Sequence, residues 1–175
     1  NTKKVGMYQE EVLNKDEFVK DEIILQAQKL FKQFGLKKTT MDEIAMACGK
    51  AKSTLYHYFK NKEEVFDAVL SKELKGLRVV VDKEVSEQNK LKDKLKAYFL
   101  TFHQETIHKI NLYRIIKPES NIELANKERF TRVLNFEIDY VSRFVDDGIG
   151  NKELTGVGVE RSKWFTELML VAFLG

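Results

Sequence analysis

The chain is poor in the residues that interrupt or staple a fold. Of 175 residues one is proline, Pro118, against an ordinary share of about 5%. Glycine is scarce inside the periodic stretches, so helices can run unbroken, and the fold class expected is all-α. The single cysteine, Cys48, excludes an internal disulfide and a cysteine-based zinc site, and it fits a reducing cytoplasm. No apolar run approaches the roughly 18 residues a membrane helix needs. The longest is LMLVAFL near the end, and no signal peptide is recognised, so no membrane partner is expected. Also missing are a G-x-S-x-G elbow, a P-loop, a dinucleotide fingerprint and an H-E-x-x-H helix, which argues against an enzyme and against a cofactor. His103 and His108 are five positions apart, about 140° around a helix, and make no ready metal pair.

What remains is an ordinary globular composition, 43% hydrophobic and 33% charged, long enough to bury a core. The net charge of +3 conceals a local excess. Between Lys29 and Lys62 eight lysines (29, 32, 37, 38, 50, 52, 60 and 62) face only Asp42 and Glu43, a net of +6. Charge runs are usually solvated faces, but this one coincides with a motif.

That motif is TTMDEIAMACGKAKSTLYHYFKNK, Thr39 to Lys62. Thr40 followed by Glu43 forms a capping box, so a helix should start at Met41 and turn Ile44, Ala45 and Cys48 inward until Gly49 ends it. Cys48 is then a buried thiol rather than a redox sensor. A second short helix from about Lys52 offers Leu55 and Phe59 to the core and distributes Lys52, Ser53, Thr54, Tyr56 and His57 over its outer side. Those types donate to phosphates and base edges, in the layout of a helix-turn-helix that reads DNA. Asn61 and Glu64 mark a third helix start beside Lys62, where free N–H groups can meet a phosphate.

The run CGKAKSTLYHYFKNKEEVF, preceded by TTMDEIA and by DEIILQAQKLFKQFG, closely resembles the DNA-binding domain of the TetR (tetracycline repressor) family, over about Asp16 to Leu70. Position and resemblance together give Tyr56 and Lys62 as phosphate clamps and Lys52, Ser53, Thr54 and His57 as groove-facing residues, with Lys50 of the turn a further DNA-binding candidate and Thr40 capping and contacting phosphate. Two positions depart from the family pattern: Lys50 replaces a small apolar turn residue, and Ala51 replaces a serine that caps the recognition helix. Lys50, Ser53 or the DNA itself would then have to hold the start of that helix.

Around the motif the pattern is helical. Ile23, Ala27, Leu30, Phe31 and Phe34 define a first helix ending at Gly35, while residues 1–15 show no clear period and read as an arm or an extra helical turn. Val65, Phe66, Val69, Leu70, Leu74, Leu77 and Val81 continue a long helix in which Gly76 is the natural place for a kink. A polar break at Ser86 to Lys90 precedes a helix with Leu91, Leu95, Phe99, Phe102 and Thr106 on one face. A second break falls at Pro118 to Asn121, before a helix from Ile122 to Val145 that is apolar on several sides and must be buried on several sides. Gly148, Gly150, Gly156 and Gly158 bracket a loop, and a last helix spans Val159 to Leu174.

The expected organisation is a DNA-binding domain at 16–75 and a helical effector-binding and dimerisation domain at 76–175. Phe99, Phe102, His103, Thr106, Tyr113, Phe136 and Tyr140 are candidates to line an effector site, since the resemblance implies one in this half; taken singly, aromatics at helical spacing are more often core. The apolar set Trp164, Phe165, Leu168, Met169, Ala172 and Phe173 needs covering, by further residues or by a second subunit. The function expected is a DNA-binding regulator, a repressor acting as a homodimer on duplex DNA and answering to a small apolar or aromatic effector. The alternative is an effector-independent DNA-bound scaffold, which a fully packed second-half core would favour.

Overall fold

The computed structural model describes residues 2–109, 111–112, 114 and 124–174, with side chains described for 16–109, 111–112, 114 and 126–173. The chain divides into two compact units, Asn1–Glu73 and Leu74–Gly175. Expectations for Pro118 to Asn121, for the start of a helix at Ile122 and for Tyr113 lie outside the described residues.

The first unit is built from α1 (Thr2–Lys38), α2 (Met41–Ala47), α3 (Lys52–Tyr58) and the first turns of α4 (Lys62–Ser86). α1 is helical from Thr2, so the expected arm is the beginning of this helix. Gly35, at φ 79°, interrupts α1, and Leu36 to Lys38 form one more turn beyond it. Ile23, Ala27 and Phe31 recur every four residues and are fully buried with Ile44, Leu55, Val65 and Val69. The Phe31 and Phe66 rings meet edge to face at 5.1 Å, which joins α1 to α4. Phe34 differs from expectation: at the end of α1's buried face it is 48% exposed, past the packed stretch.

The second unit comprises the rest of α4, α5 (Leu91–Thr106), α6 (Leu124–Gly150), a 3-10 turn at Val159–Arg161 and α7 (Ser162–Leu174). α6 packs against both α5 and α7. α4 runs through Gly76 without a break. α5 starts where Glu153 accepts the Leu91 amide at 2.8 Å, a bond from a distant loop that replaces the missing side-chain cap at Lys90. Gly148 lies so close to this start that a methyl group on it would collide with the Leu91 side chain. α6 continues past Val145 to Gly150, and Gly148 serves close packing within the helix rather than the loop.

The buried face of α5 is rotated relative to the sequence expectation. Tyr98 is fully buried and Leu91, Thr101, Phe102 and Thr106 accompany it, leaving Leu95 and Phe99 half-buried. The cause is Tyr98's hydroxyl, which donates to the buried Glu137 of α6 and so draws its ring to the centre.

Candidate nucleic-acid interface and effector region

The α2–α3 turn is fixed by backbone chemistry at each step. Thr40 accepts the Glu43 amide at 3.3 Å and Glu43 accepts the Thr40 amide at 2.8 Å, completing the capping box. At the other end the Gly49 amide bonds to Met46 and the Lys50 amide to Ala45, both at 3.0 Å, with Gly49 at φ 62°. This is a Schellman closure, and it orients the chain for α3. Ala51 gives α3 no side-chain cap, as the departure from the family pattern implied. Lys50 instead pairs with Glu22 on α1 at 3.1 Å, tying the turn to the unit's core. Cys48 is buried, and burial, with a contribution from Glu22, pushes its thiol pKa up and keeps it protonated.

α3 anchors through Leu55, with Phe59 just beyond its end, while Lys52, Ser53, Tyr56 and His57 are exposed and Thr54 is half-buried. One short helix thus carries a cation, a hydroxyl, a phenol and an imidazole on one accessible side. Tyr58 does not share it: its hydroxyl donates to Asp16 at 2.8 Å, a bond that raises its pKa and straps α3 to α1. Lys52 rests on Asp42 at 2.7 Å, and that hydrogen bond raises the ammonium pKa. Both partners are exposed, so a phosphate can take the ammonium from Asp42 with little loss.

Lys62 is placed differently from Tyr56. Its ammonium donates to the carbonyls of Leu36 (3.0 Å), Lys37 (3.3 Å) and Thr39 (3.2 Å), closing the end of α1. A phosphate would have to share it with those carbonyls. Just beyond, Asn61 accepts the Glu64 amide at 2.9 Å and Glu64 accepts the Lys60 amide at 2.8 Å, so the α4 start is already capped and carries Glu63 and Glu64 in its first turn. Thr40 is exposed, its hydroxyl engaged with Glu43.

In the second unit the expected effector residues separate. Phe99 and Phe102 meet Phe173 of α7 at ring distances of 4.7 and 6.2 Å, and Phe102 is buried beside Tyr98. His103 is exposed, 6.5 Å from the Phe173 ring. Thr106 is buried, and its hydroxyl has no hydrogen-bond partner among the described residues. Phe136 is half exposed and Tyr140 half-buried, both against the Arg78 guanidinium rather than against Phe173. The apolar set on α7 also splits: Trp164, Leu168 and Ala172 form an exposed stripe with Val171, while Phe165, Met169 and Phe173 are half-buried.

Sequence reasoning missed a polar cluster here. Arg78 of α4 donates through Nη2 to both oxygens of Glu137 at 2.8 Å, Tyr98 donates to Glu137 at 2.9 Å, and Tyr140 donates to Asp82 at 2.6 Å. Burial raises the Glu137 pKa against the opposing pull of Arg78 and Tyr98, and burial with the nearby carboxylate pushes Tyr98 well up. The only sequence signal was an arginine inside LKGLRVVV, beside Leu77 on α4's apolar side.

Comparison with known proteins places this architecture. Residues 23–69 match the family described as bacterial regulatory proteins, tetR family. The HTH-type transcriptional regulator YhgD of Bacillus subtilis is 30% identical over 129 residues, covering 73% of this chain and 67% of that protein. The HTH-type transcriptional repressor KstR2 of Mycobacterium tuberculosis is 29% identical over 116 residues, and there the chain spans only 56% of the relative's length. A crystal structure of a transcriptional regulator from Cytophaga hutchinsonii superposes with a TM-score of 0.65 at 31% identity, over 85% of this chain and 77% of that one. These relatives are DNA-binding regulators and not enzymes, and the chain belongs to the TetR family of bacterial transcriptional regulators.

Proposed function

We propose that this regulator is a repressor that binds a near-palindromic operator as a homodimer and releases it when a small molecule occupies the second unit. The observation that carries the DNA half is α3: a short helix with a fully buried anchor, held at both ends by bonds to α1 and α2, and open on the side bearing Lys52, Ser53, Tyr56 and His57. Tyr56 and Lys62 serve phosphates, the latter shared with α1 carbonyls; Thr40 adds a phosphate contact, and Lys50, Lys52, Ser53, Thr54 and His57 serve the groove side. The division of labour is 16–75 for DNA and 76–175 for effector and dimer, in the cytoplasm. The dimer face is the exposed α7 stripe of Trp164, Leu168 and Ala172, with Phe165 and Met169 at its edge.

Effector control follows from α4, which is one unbroken helix from Lys62 to Ser86 and contributes residues to both units. A ligand that displaces its last turns changes how α4 is held. For a hundredfold loss of operator affinity the ligand must prefer the DNA-incompetent state by about 2.7 kcal/mol, and DNA must weaken ligand binding by the same factor. The competing reading, an effector-independent scaffold, is favoured by the close packing of Tyr98 and Phe102, both almost wholly buried. Selection of bound duplexes from a random pool tests the DNA half: the expected sites are inverted repeats with half-sites about 34–36 Å or a multiple of it apart. Recovery of no duplex would end the reading.

A further inference from the structure

The polar cluster around Arg78 is more than a packed ion pair. The Arg78 side chain is 15% exposed and Glu137 1%, and Glu137 engages only Nη2. Nε and Nη1 are sealed from solvent and, among the described residues, meet no hydrogen-bond acceptor, lying against the Tyr140 ring instead. Buried N–H groups on a charged side chain without an acceptor are costly, and an aliphatic side chain of similar length would remove the cost. The guanidinium lies 3.5 Å from the Tyr140 ring centroid and 5.0 Å from that of Phe136, while Asp82, one turn further along α4, holds the Tyr140 hydroxyl. Tyr98, which bonds to Glu137, shares one face of α5 with Phe102 and Thr106, at successive turns. The Phe102 ring is 5.6 Å from that of Tyr98, and Thr106, 4% exposed, has a hydroxyl with no partner among the described residues. From Tyr98 to Thr106 the face is about 12 Å long. It has donors without an acceptor at one end, an aromatic wall between, and an idle hydroxyl at the other.

We propose that Arg78 anchors the carboxylate of a small amphipathic effector, which accepts from the idle Nη1 and whose apolar body follows Tyr98 and Phe102 toward Thr106. This rests on the ligand-responsive reading above. A carboxylate fits better than a phosphate dianion, because a second charge would have to be desolvated, and Arg143, 5.5 Å from the Tyr140 ring, is exposed and leaves Arg78 to meet it. The ionisable groups at the site are Arg78 and Asp82 from α4, Tyr98 from α5 and Glu137 and Tyr140 from α6, with the exposed Arg143 of α6 at 5.5 Å from the Tyr140 ring. As the ligand claims Arg78, Glu137 takes a proton from solvent, a step that burial already favours, and the charge of the cluster is unchanged. Arg78 and Asp82 fasten successive turns of α4 to α6, so the ligand loosens one of two fasteners on the helix whose first turns belong to the first unit.

The test compares octanoate and phenylacetate with their primary amides and with octyl phosphate, by thermal shift and by competition with operator DNA. The acids are expected to raise the melting temperature and weaken DNA binding, with each amide about tenfold or more weaker, the scale of a charge-assisted hydrogen bond. Arg78→Gln should erase the preference for acid over amide. Glu137→Gln, which can still accept from Tyr98 but no longer neutralises Arg78, should tighten acid binding by about tenfold; a purely structural ion pair would lower acid and amide binding together in both variants. If Arg78→Gln does not fold, the acid-to-amide ratio in Glu137→Gln decides. Amides binding as tightly as acids, or octyl phosphate binding more tightly than octanoate, would overturn the carboxylate anchor while leaving ligand control intact. Neutral and charged probes alike leaving melting and operator affinity unmoved would overturn both.

Discussion

Replacing Gly49 with alanine isolates the turn that aims α3. Gly49 sits at φ 62°, and a Cβ built there meets nothing within 4 Å, so the cost is backbone strain alone. An L-residue in the left-handed region costs about 1–2 kcal/mol. For a unit of this size each kcal/mol moves the melting temperature by roughly 4–8 °C, so Gly49→Ala should melt roughly 5–15 °C below wild type. Because Ala51 supplies no cap, the Schellman bonds of Gly49 and Lys50 and the Lys50–Glu22 pair are what hold the start of α3. Operator affinity should therefore fall further than the population of unfolded protein explains. Gly49→Asn should cost less, since asparagine tolerates this region. Gly150→Ala is the control: it has no positive φ and open space at its Cβ, and should be neutral or slightly stabilising. Melting and DNA binding measured on the four proteins decide the matter. If Gly49→Ala matches wild type, the turn is not left-handed and the account of how α3 is oriented is wrong.

Lys52→Ala or His57→Ala should change base preference in a selection experiment, whereas Tyr56→Phe should weaken all duplexes alike; unchanged preference in the first pair would place the reading face elsewhere. Leu168→Glu puts a charge into the exposed α7 stripe and should give monomers with poor operator binding by sedimentation and gel shift; a dimer persisting at micromolar concentration would move the interface. The Tyr140 phenol, pushed up to about 12 by burial and then by its bond to Asp82, should titrate late by tyrosinate absorbance. Its folded pKa lies above the unfolded value, so the stability it contributes is intact below pH 10 and is lost as pH rises toward 12. The loss is at most about 2.7 kcal/mol and smaller in practice because the ring is half exposed to solvent. Asp82→Asn should bring the titration down; an unshifted titration would mean the bond does not form in solution.

The first unit was legible because its signals are local. A capping box, a glycine closing a helix and Leu55 and Phe59 four apart each act within a few residues, and the structure places α2 and α3 where those signals put them. What holds the unit together was not legible. Tyr58 to Asp16, Lys50 to Glu22 and Lys62 to the α1 carbonyls are pairings across at least 23 positions between exposed-looking polar residues, and no periodicity marks them. The second unit was harder for the same reason. Helical spacing puts Phe99 on one face with Leu91 and Leu95 and among the effector-site candidates, but the 39-residue reach from Tyr98 to Glu137 rotates the buried face of α5 by about one position. Arg78 gave only a faint sign, an arginine among valines and leucines, and its meaning depends on Glu137, 59 residues away.

The most direct measurement of the central claim is the affinity of the protein for its selected operator as a function of salt. A helix-turn-helix with a basic window of eight lysines against two acids, engaging roughly six phosphates per complex, should lose about three orders of magnitude in affinity between 50 and 200 mM salt. A log–log slope near −5 or steeper is the expected result. An affinity that does not change with salt, or that is the same for selected and scrambled duplexes, would contradict DNA recognition by this face of α3.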